Sequence, residues 1–269
     1  MGSWPPLSRR AFLGALAWAL GRPRWVAGQV DVRKGVFTAQ AAILYGALRF
    51  EESGVIDERI DPAAGTYDVR ITGRGQSMTT DIESTGALRD GRWVPLRFTD
   101  RFNVHGRESR LEIVYDHARG SIQYHGRSET FLLRRLRTTD DTVPIPSGAH
   151  VDDVISATLN FAENRWLPEP DGKYVTQVVR RRRAPGERPD DHERRYRAEL
   201  VPLELRVRTD SVGRATAALD LTRFSSWARD DEPARIVFGA NRRPETISAT
   251  LVLGTSLTIR LQAAPSAAS

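Results

Sequence analysis

The sequence predicts a mostly β protein: a single antiparallel meander of about a dozen short strands, curled into a barrel or half-barrel, with one helix in mid-chain. Three observations predict it. From Ala47 onward apolar and polar residues alternate with a period of two; Gly, Pro, Asp and Asn interrupt that alternation at hairpin spacing; and one segment, opening at Val151, switches to a helical period.

The elements follow in order. Leu48 and Phe50 alternate with Arg49 and Glu51, then Tyr67, Val69 and Ile71 with Asp68, Arg70 and Thr72, the pattern of strands with one face on a core and one in water. Asp61-Pro62-Ala63-Ala64-Gly65 turns between them. The pattern continues from Met78 to Leu88 and reaches Asp90-Gly91, a strong hairpin signal because both residues tolerate positive φ. In the next strand, Trp93 to Val104, Val94, Leu96 and Phe98 share a face, and Pro95, lacking an N–H, marks an edge or a bulge. Leu111, Ile113 and Tyr115 alternate, His117-Ala118-Arg119-Gly120 turns the chain, and Ile122 and Tyr124 begin the return. Asp141 to Pro146 reads as extended and irregular.

Val151-Asp152-Asp153 then opens a helix whose Val154, Ile155, Thr158, Leu159 and Ala162 fall on one face and which ends near Asn164; the aspartates suit its N-terminus by capping and by the dipole. Pro168 and Pro170 break it, and a strand resumes from Tyr174 to Val179. Arg180 to Arg195, opening with four consecutive arginines, reads as a solvated hairpin tip with compensating charge rather than as an anion-binding loop. Tyr196, Ala198, Leu200, Leu203, Leu205 and Val207 build further strands, Asp210 to Gly213 turns them, and Ala215 to Leu221 returns. Ile236–Phe238, Thr246–Leu253 and Ser256–Leu261 finish the meander around Asn241-Arg242-Arg243-Pro244 and Gly254-Thr255.

Ahead of all this lies a leader. An apolar run, Ala11 to Gly21, follows the paired arginines of Ser8-Arg9-Arg10, and small residues Val26 and Gly28 stand where a signal peptidase inspects the chain. The Ser-Arg-Arg-x-Phe-Leu order, with Arg9, Arg10, Phe12 and Leu13 as its readable residues, resembles a bacterial twin-arginine export signal, with cleavage after Gly28. The run is too short for a permanent span, which takes about 20 apolar residues. The expected division is an export signal over 1–28, one β-rich domain over 29–262 and a disordered tail over 263–269; the expected address is the periplasm, and the expected partner is the twin-arginine machinery.

The formal net charge is +6, but the leader holds Arg9, Arg10, Arg22 and Arg24 and no acid, so the remainder carries only +2. Bulk-charge binding of nucleic acid is not expected from so balanced a chain. There is no cysteine, which excludes a disulfide framework, thiolate metal sites and a cysteine nucleophile.

Leu48-Arg49-Phe50, Leu88 to Pro95, Val114-Tyr115-Asp116, Val151 to Ser156 and the final Arg243-Pro244 hairpin together resemble an uncharacterised bacterial envelope family, domain of unknown function 3108. The resemblance spans most of the chain beyond the leader and implies a secreted or periplasmic, mostly β domain. It implies no catalytic residue. The Arg180 to Arg195 segment is longer than that family needs.

No residues here form a catalytic or cofactor motif. Gly-x-Ser-x-Gly and Ser-x-x-Lys do not occur, and Gly73-Arg74-Gly75 has no following helix to make a phosphate loop. His105, His117 and His125 lie near strand ends and turns without ligand spacing, so no metal is assigned. Asp152-Asp153 and Asp190-Asp191 are sequence neighbours that do not face one another, which favours helix capping over acid–base work for the first pair. Phe50, Tyr67, Trp93, Phe98, Phe102, Tyr115, Phe161 and Trp166 read as core rather than as a ligand pocket. The expectation is a non-enzymatic binding or envelope-maintenance protein with an apolar concave face, needing no cofactor and taking a lipid or polysaccharide ligand. Its rivals are a hydrolase of an envelope polymer, with carboxylates assembled from distant strands, and a structural partner of an envelope complex.

Overall fold

The computed structural model describes residues 30–43, 45–130, 133–184, 187–188, 190–193, 195–225, 228–229 and 231–263. The leader residues Arg9, Arg10, Phe12 and Leu13, the cleavage position Gly28 and the stretch 264–269 lie outside the described residues.

Eight strands come first: β1 (Asp31–Ile43), β2 (Leu48–Asp61), β3 (Thr66–Gly75), β4 (Met78–Arg89), β5 (Arg92–Val104), β6 (Arg107–Asp116), β7 (Ser121–Glu129) and β8 (Leu136–Pro144). The helix α1 (Val154–Ala162) follows, then β9 (Lys173–Arg181), β10 (Ala198–Thr209), β11 (Ala215–Leu219), β12 (Ala234–Phe238), β13 (Pro244–Leu251) and β14 (Thr255–Ala263). All fourteen strands join one sheet in the order β8 to β1, then β14 to β9. Every paired strand neighbour is antiparallel, β8 and β9 stand at the two ends of the order, and the first and last strands meet, Phe37 opposite Leu261 and Ala39 opposite Ile259. The mostly β, antiparallel meander with one mid-chain helix is therefore observed, as a nearly closed barrel.

The hairpins form where local chemistry demands them. Asp61 Oδ1 accepts the N–H groups of Ala63 and Ala64 at 3.0 and 2.8 Å, and Asp90 and Gly91 take φ of 49° and 79° between β4 and β5. Pro95 sits at a bulge: Gly86 pairs with Pro95 while Thr85 pairs with Arg97, so Leu96 is the extra residue. That corrects the expected face of Val94, Leu96 and Phe98. Trp93 and Pro95 point inward before the bulge and Phe98 after it.

The remaining seam, between β8 and β9–β10, is closed by single contacts. Thr139 bridges Tyr196, Val151 bridges Gln177, and Asp141 accepts the Ala198 N–H at 2.9 Å. The arginine-rich segment completes the closure. Arg181 forks onto Glu187 at 3.0 and 2.6 Å and lies 4.3 Å over the Tyr196 ring, and Arg180 pairs with Glu199 at 2.6 Å. Glu187 is buried, and Arg181, the Ala184 N–H and Arg137 from β8 keep its carboxyl below the usual range despite burial. The charge compensation expected of Arg180 to Arg195 is present, but Arg181, Glu187 and Arg137 make a packed clasp rather than a solvated tip.

The helix lies inside the barrel. Leu159 packs with Ile60, Tyr67, Val69 and Trp93 on one side, while Ala157 and Phe161 pack with Val178, Leu203, Ile236 and Phe238 on the other. Its buried face is Ser156, Ala157, Leu159, Asn160 and Phe161, and Val154 is 56% exposed. The apolar periodicity thus misplaces the face, because two of the inward residues are polar and find partners inside. The aromatics expected in the core are there: seven of the eight are buried and Phe102 packs half-buried beside Phe50.

Candidate functional site

The densest polar constellation lies under α1, where the Asp152-Asp153 pair meets β4, β5 and β9. Asp153 is the helix N-cap; its carboxylate accepts the N–H groups of Ile155 and Ser156 at 2.9 and 2.7 Å, and Ser156 Oγ accepts the Asp153 N–H in return. The other Asp153 oxygen accepts from Ser84 Oγ at 2.5 Å, and Ser84 Oγ shares a 3.0 Å hydrogen bond with Tyr67 OH. Asp152 accepts from four donors: Arg92 Nη2 at 2.7 Å, Thr176 Oγ1 at 2.6 Å, and Ser156 Oγ and Asn160 Nδ2 at 3.0 Å each.

Asn160 completes the arrangement. Its amide accepts the Trp93 N–H and donates to the Trp93 carbonyl, both at 2.8 Å, so it pairs with β5 as a neighbouring strand would, beyond the end of the β6 ladder. Asp152 and Asp153 are 1% and 5% exposed, and Ser84, Ser156 and Asn160 are wholly buried. Burial pushes the Asp153 carboxyl up to about 6, with Asp152 adding to the rise and the hydroxyls of Ser84 and Ser156 opposing it. Burial likewise raises the Tyr67 and Tyr115 hydroxyls above their ordinary range.

The helix is also held at its far end. Arg242 Nε donates to the Phe161 carbonyl at 3.0 Å, Trp93 Nε1 to Glu163 at 2.9 Å, and Arg165 to Glu163 at 2.7 Å. The capping role expected of Asp152-Asp153 is what the geometry displays for Asp153. Asp190 and Asp191 serve loop backbone: Asp190 accepts the Leu133 N–H and Asp191 the Arg188 N–H.

The three histidines do not converge. His105 stacks edge-on against Phe50 in the β5–β6 turn, His117 Nε2 lies 2.7 Å from the Pro95 carbonyl, and His125 Nδ1 lies 2.9 Å from Asp140. Among the described residues no cluster of three His, Cys, Asp or Glu could hold a metal. Two inner-face carboxyls stand apart from the hub: Glu52 on β2, accepting from Thr80 Oγ1 at 2.8 Å, and Asp100 on β5, which burial pushes up to about 6. Strands β3 and β4 separate them.

Sequence reasoning missed a second feature, on the outer face of β5–β8. A groove of about 610 Å³ runs there, lined by Arg97, Arg101, Arg110, Arg127 and Arg195 with His125 among them. Alternation puts these side chains opposite the buried Phe98, Ile113 and Tyr124. The pairing register sets Arg101 opposite Arg110, and Arg110 opposite Arg127. No spacing along the chain reveals that row, because it exists only across strands.

No family model matches the chain and no curated protein matches it, so the likeness to the domain of unknown function 3108 rests on the motifs quoted above. No helix among the described residues is long and apolar enough to cross a membrane. Among solved structures the chain is similar to a β-barrel-like protein of domain of unknown function 1849 from Brucella abortus, at 13% identity and a TM-score of 0.40, over 87% of this chain and 97% of that one.

Proposed function

We propose that the chain is exported to the periplasm by the twin-arginine route and works there as a non-enzymatic binding or envelope-maintenance protein, in a barrel whose interior α1 fills. The observation that carries the reading is the engagement of Asp152 and Asp153. Both carboxylates are sealed under the helix, and the donors that hold them come from the fold itself. Acid–base chemistry needs a group within hydrogen-bond reach of a substrate, and both carboxylates are buried, 1% and 5% exposed. Apolar side chains make up most of the inner face, and α1 packs against its centre. A ligand therefore meets the outer surface while the helix stays in place, which favours a polysaccharide over a lipid.

The rival hydrolase has two carboxyls in its favour: Asp153, beside Asp152, and Asp100 on β5 are each raised to about 6 by burial and titrate where a general acid does. Incubating the purified chain with peptidoglycan and envelope polysaccharides separates the two readings. Intact polymers, with wild type and Asp153→Asn behaving alike, are expected; cleavage that Asp153→Asn abolishes contradicts the proposal.

A further inference from the structure

Like charges placed directly opposite one another in a sheet repel and cost stability. Here three arginines from three adjacent strands, Arg101, Arg110 and Arg127, occupy one cross-strand row. Neighbouring acids offset only part of that charge: Glu108 acts electrostatically on Arg101 and Arg127 as well as on Arg110, and Glu83 shares a lining with Arg97 and Arg101. Glu108 holds Arg110 at 2.6 Å and Glu112 holds Arg97 at 2.8 Å. Asp81, opposite Arg101 in register, pairs with Arg70 at 3.2 Å, and Asp140 lies on His125. Arg101, Arg127 and Arg195 have no ion-pair partner among the described residues.

From these relationships we infer that the outer groove of β5–β8 is a binding site for an anionic oligosaccharide, one carrying a carboxylate or phosphate at intervals along the chain. The inference deepens the reading of the protein as a non-enzymatic binding protein and rests on it. Adjacent strands lie about 4.8 Å apart, so Arg101 and Arg127 stand about 10 Å apart, a separation that suits charges on alternate sugars. Guanidinium is the group that grips carboxylate and phosphate with paired N–H bonds. The other lining residues sharpen the class. Thr99, Thr138, Glu112 and Asp140 supply hydroxyls and carboxylates that hydrogen-bond sugar hydroxyls, and the two carboxylates repel a densely charged polyphosphate. Among the described residues the lining has no Phe, Tyr or Trp, so it offers neither the stacking platform of a single-stranded nucleic acid nor the aromatic wedge of a membrane-surface protein.

The test uses the purified full chain and a galacturonate oligomer as probe, with neutral dextran, phosphatidylglycerol vesicles and single-stranded DNA beside it. Binding to the galacturonate oligomer that weakens as salt rises is expected, with little binding to dextran. Arg101→Gln/Arg127→Gln should weaken it at least tenfold while the thermal midpoint holds or rises, because a repulsion is removed. Arg195→Gln, outside the sheet, should weaken it several-fold alone. Unchanged affinity in these variants, or preferential binding to vesicles or DNA, overturns the inference. Intact oligomer that fails to bind contradicts only this site; an oligomer cut during the assay contradicts the non-enzymatic reading instead.

Discussion

Asn160 and Trp93 exchange two hydrogen bonds, side-chain amide to backbone, each of 2.8 Å. A helix residue thereby takes the place of a missing strand, and it spends its remaining N–H on Asp152. Replacing Asn160 by Leu would leave a buried N–H, a buried carbonyl and one Asp152 oxygen short of a partner. At about 1–3 kcal/mol per orphaned group the expected loss is about 4 kcal/mol, or about 10 °C in thermal midpoint. Urea and thermal unfolding of Asn160→Leu measure it, and a loss below about 1 kcal/mol would mean the pairing is incidental.

Asp100 gives a pH signature. Its folded carboxyl titrates near 6, raised by burial, against 3.8 ordinarily, so between about pH 4 and 6 the folded chain holds a proton that the unfolded chain has released. Stability therefore falls as pH rises through that window, by about 3 kcal/mol for this group. Asp100→Asn should match wild type near pH 4 and exceed it near pH 7, keeping the part of the slope due to the other carboxyls that burial raises, Asp153 and Glu58. Denaturant titrations across that range decide it; identical slopes in the two proteins exclude the assignment.

The export reading makes a separate prediction. Arg9→Lys/Arg10→Lys keeps the charge of the leader but not the residues that a twin-arginine receptor reads. Fractionation should then find the precursor retained in the cytoplasm. Normal export of that variant contradicts the twin-arginine route.

Much of the architecture is legible because its signals are local. Asp61 to Gly65 and Asp90-Gly91 are turns by their own chemistry, and Pro95 announces the bulge that Gly86 accommodates. What is not legible depends on distant partners. Strand β1 alternates weakly, with Ala39 and Ala41 as its small inward residues, and is recognisable only once β14 lies beside it. The inward face of α1 is disguised because Ser156 and Asn160 are polar; Asp152 lies one turn from Ser156, but the Trp93 backbone that receives Asn160 becomes visible only when the helix sits in the barrel. Arg180 to Arg195 reads as solvated charge until Glu187 and Tyr196 are seen to receive Arg181. The arginine row requires the register of β5, β6 and β7, which no single segment encodes.

The central claim is that α1 is a permanent filling of the barrel rather than a lid over an apolar site. Native-state hydrogen exchange of the α1 amides tests it most directly. If Asp152, Asp153 and Asn160 lock the helix in place, the amides of Leu159 to Ala162 should exchange only through global unfolding, as slowly as those of β3 and β4. Exchange of those amides through a separate, lower-energy opening, slowed when a lipid is added, would contradict the claim and restore a ligand to the barrel interior.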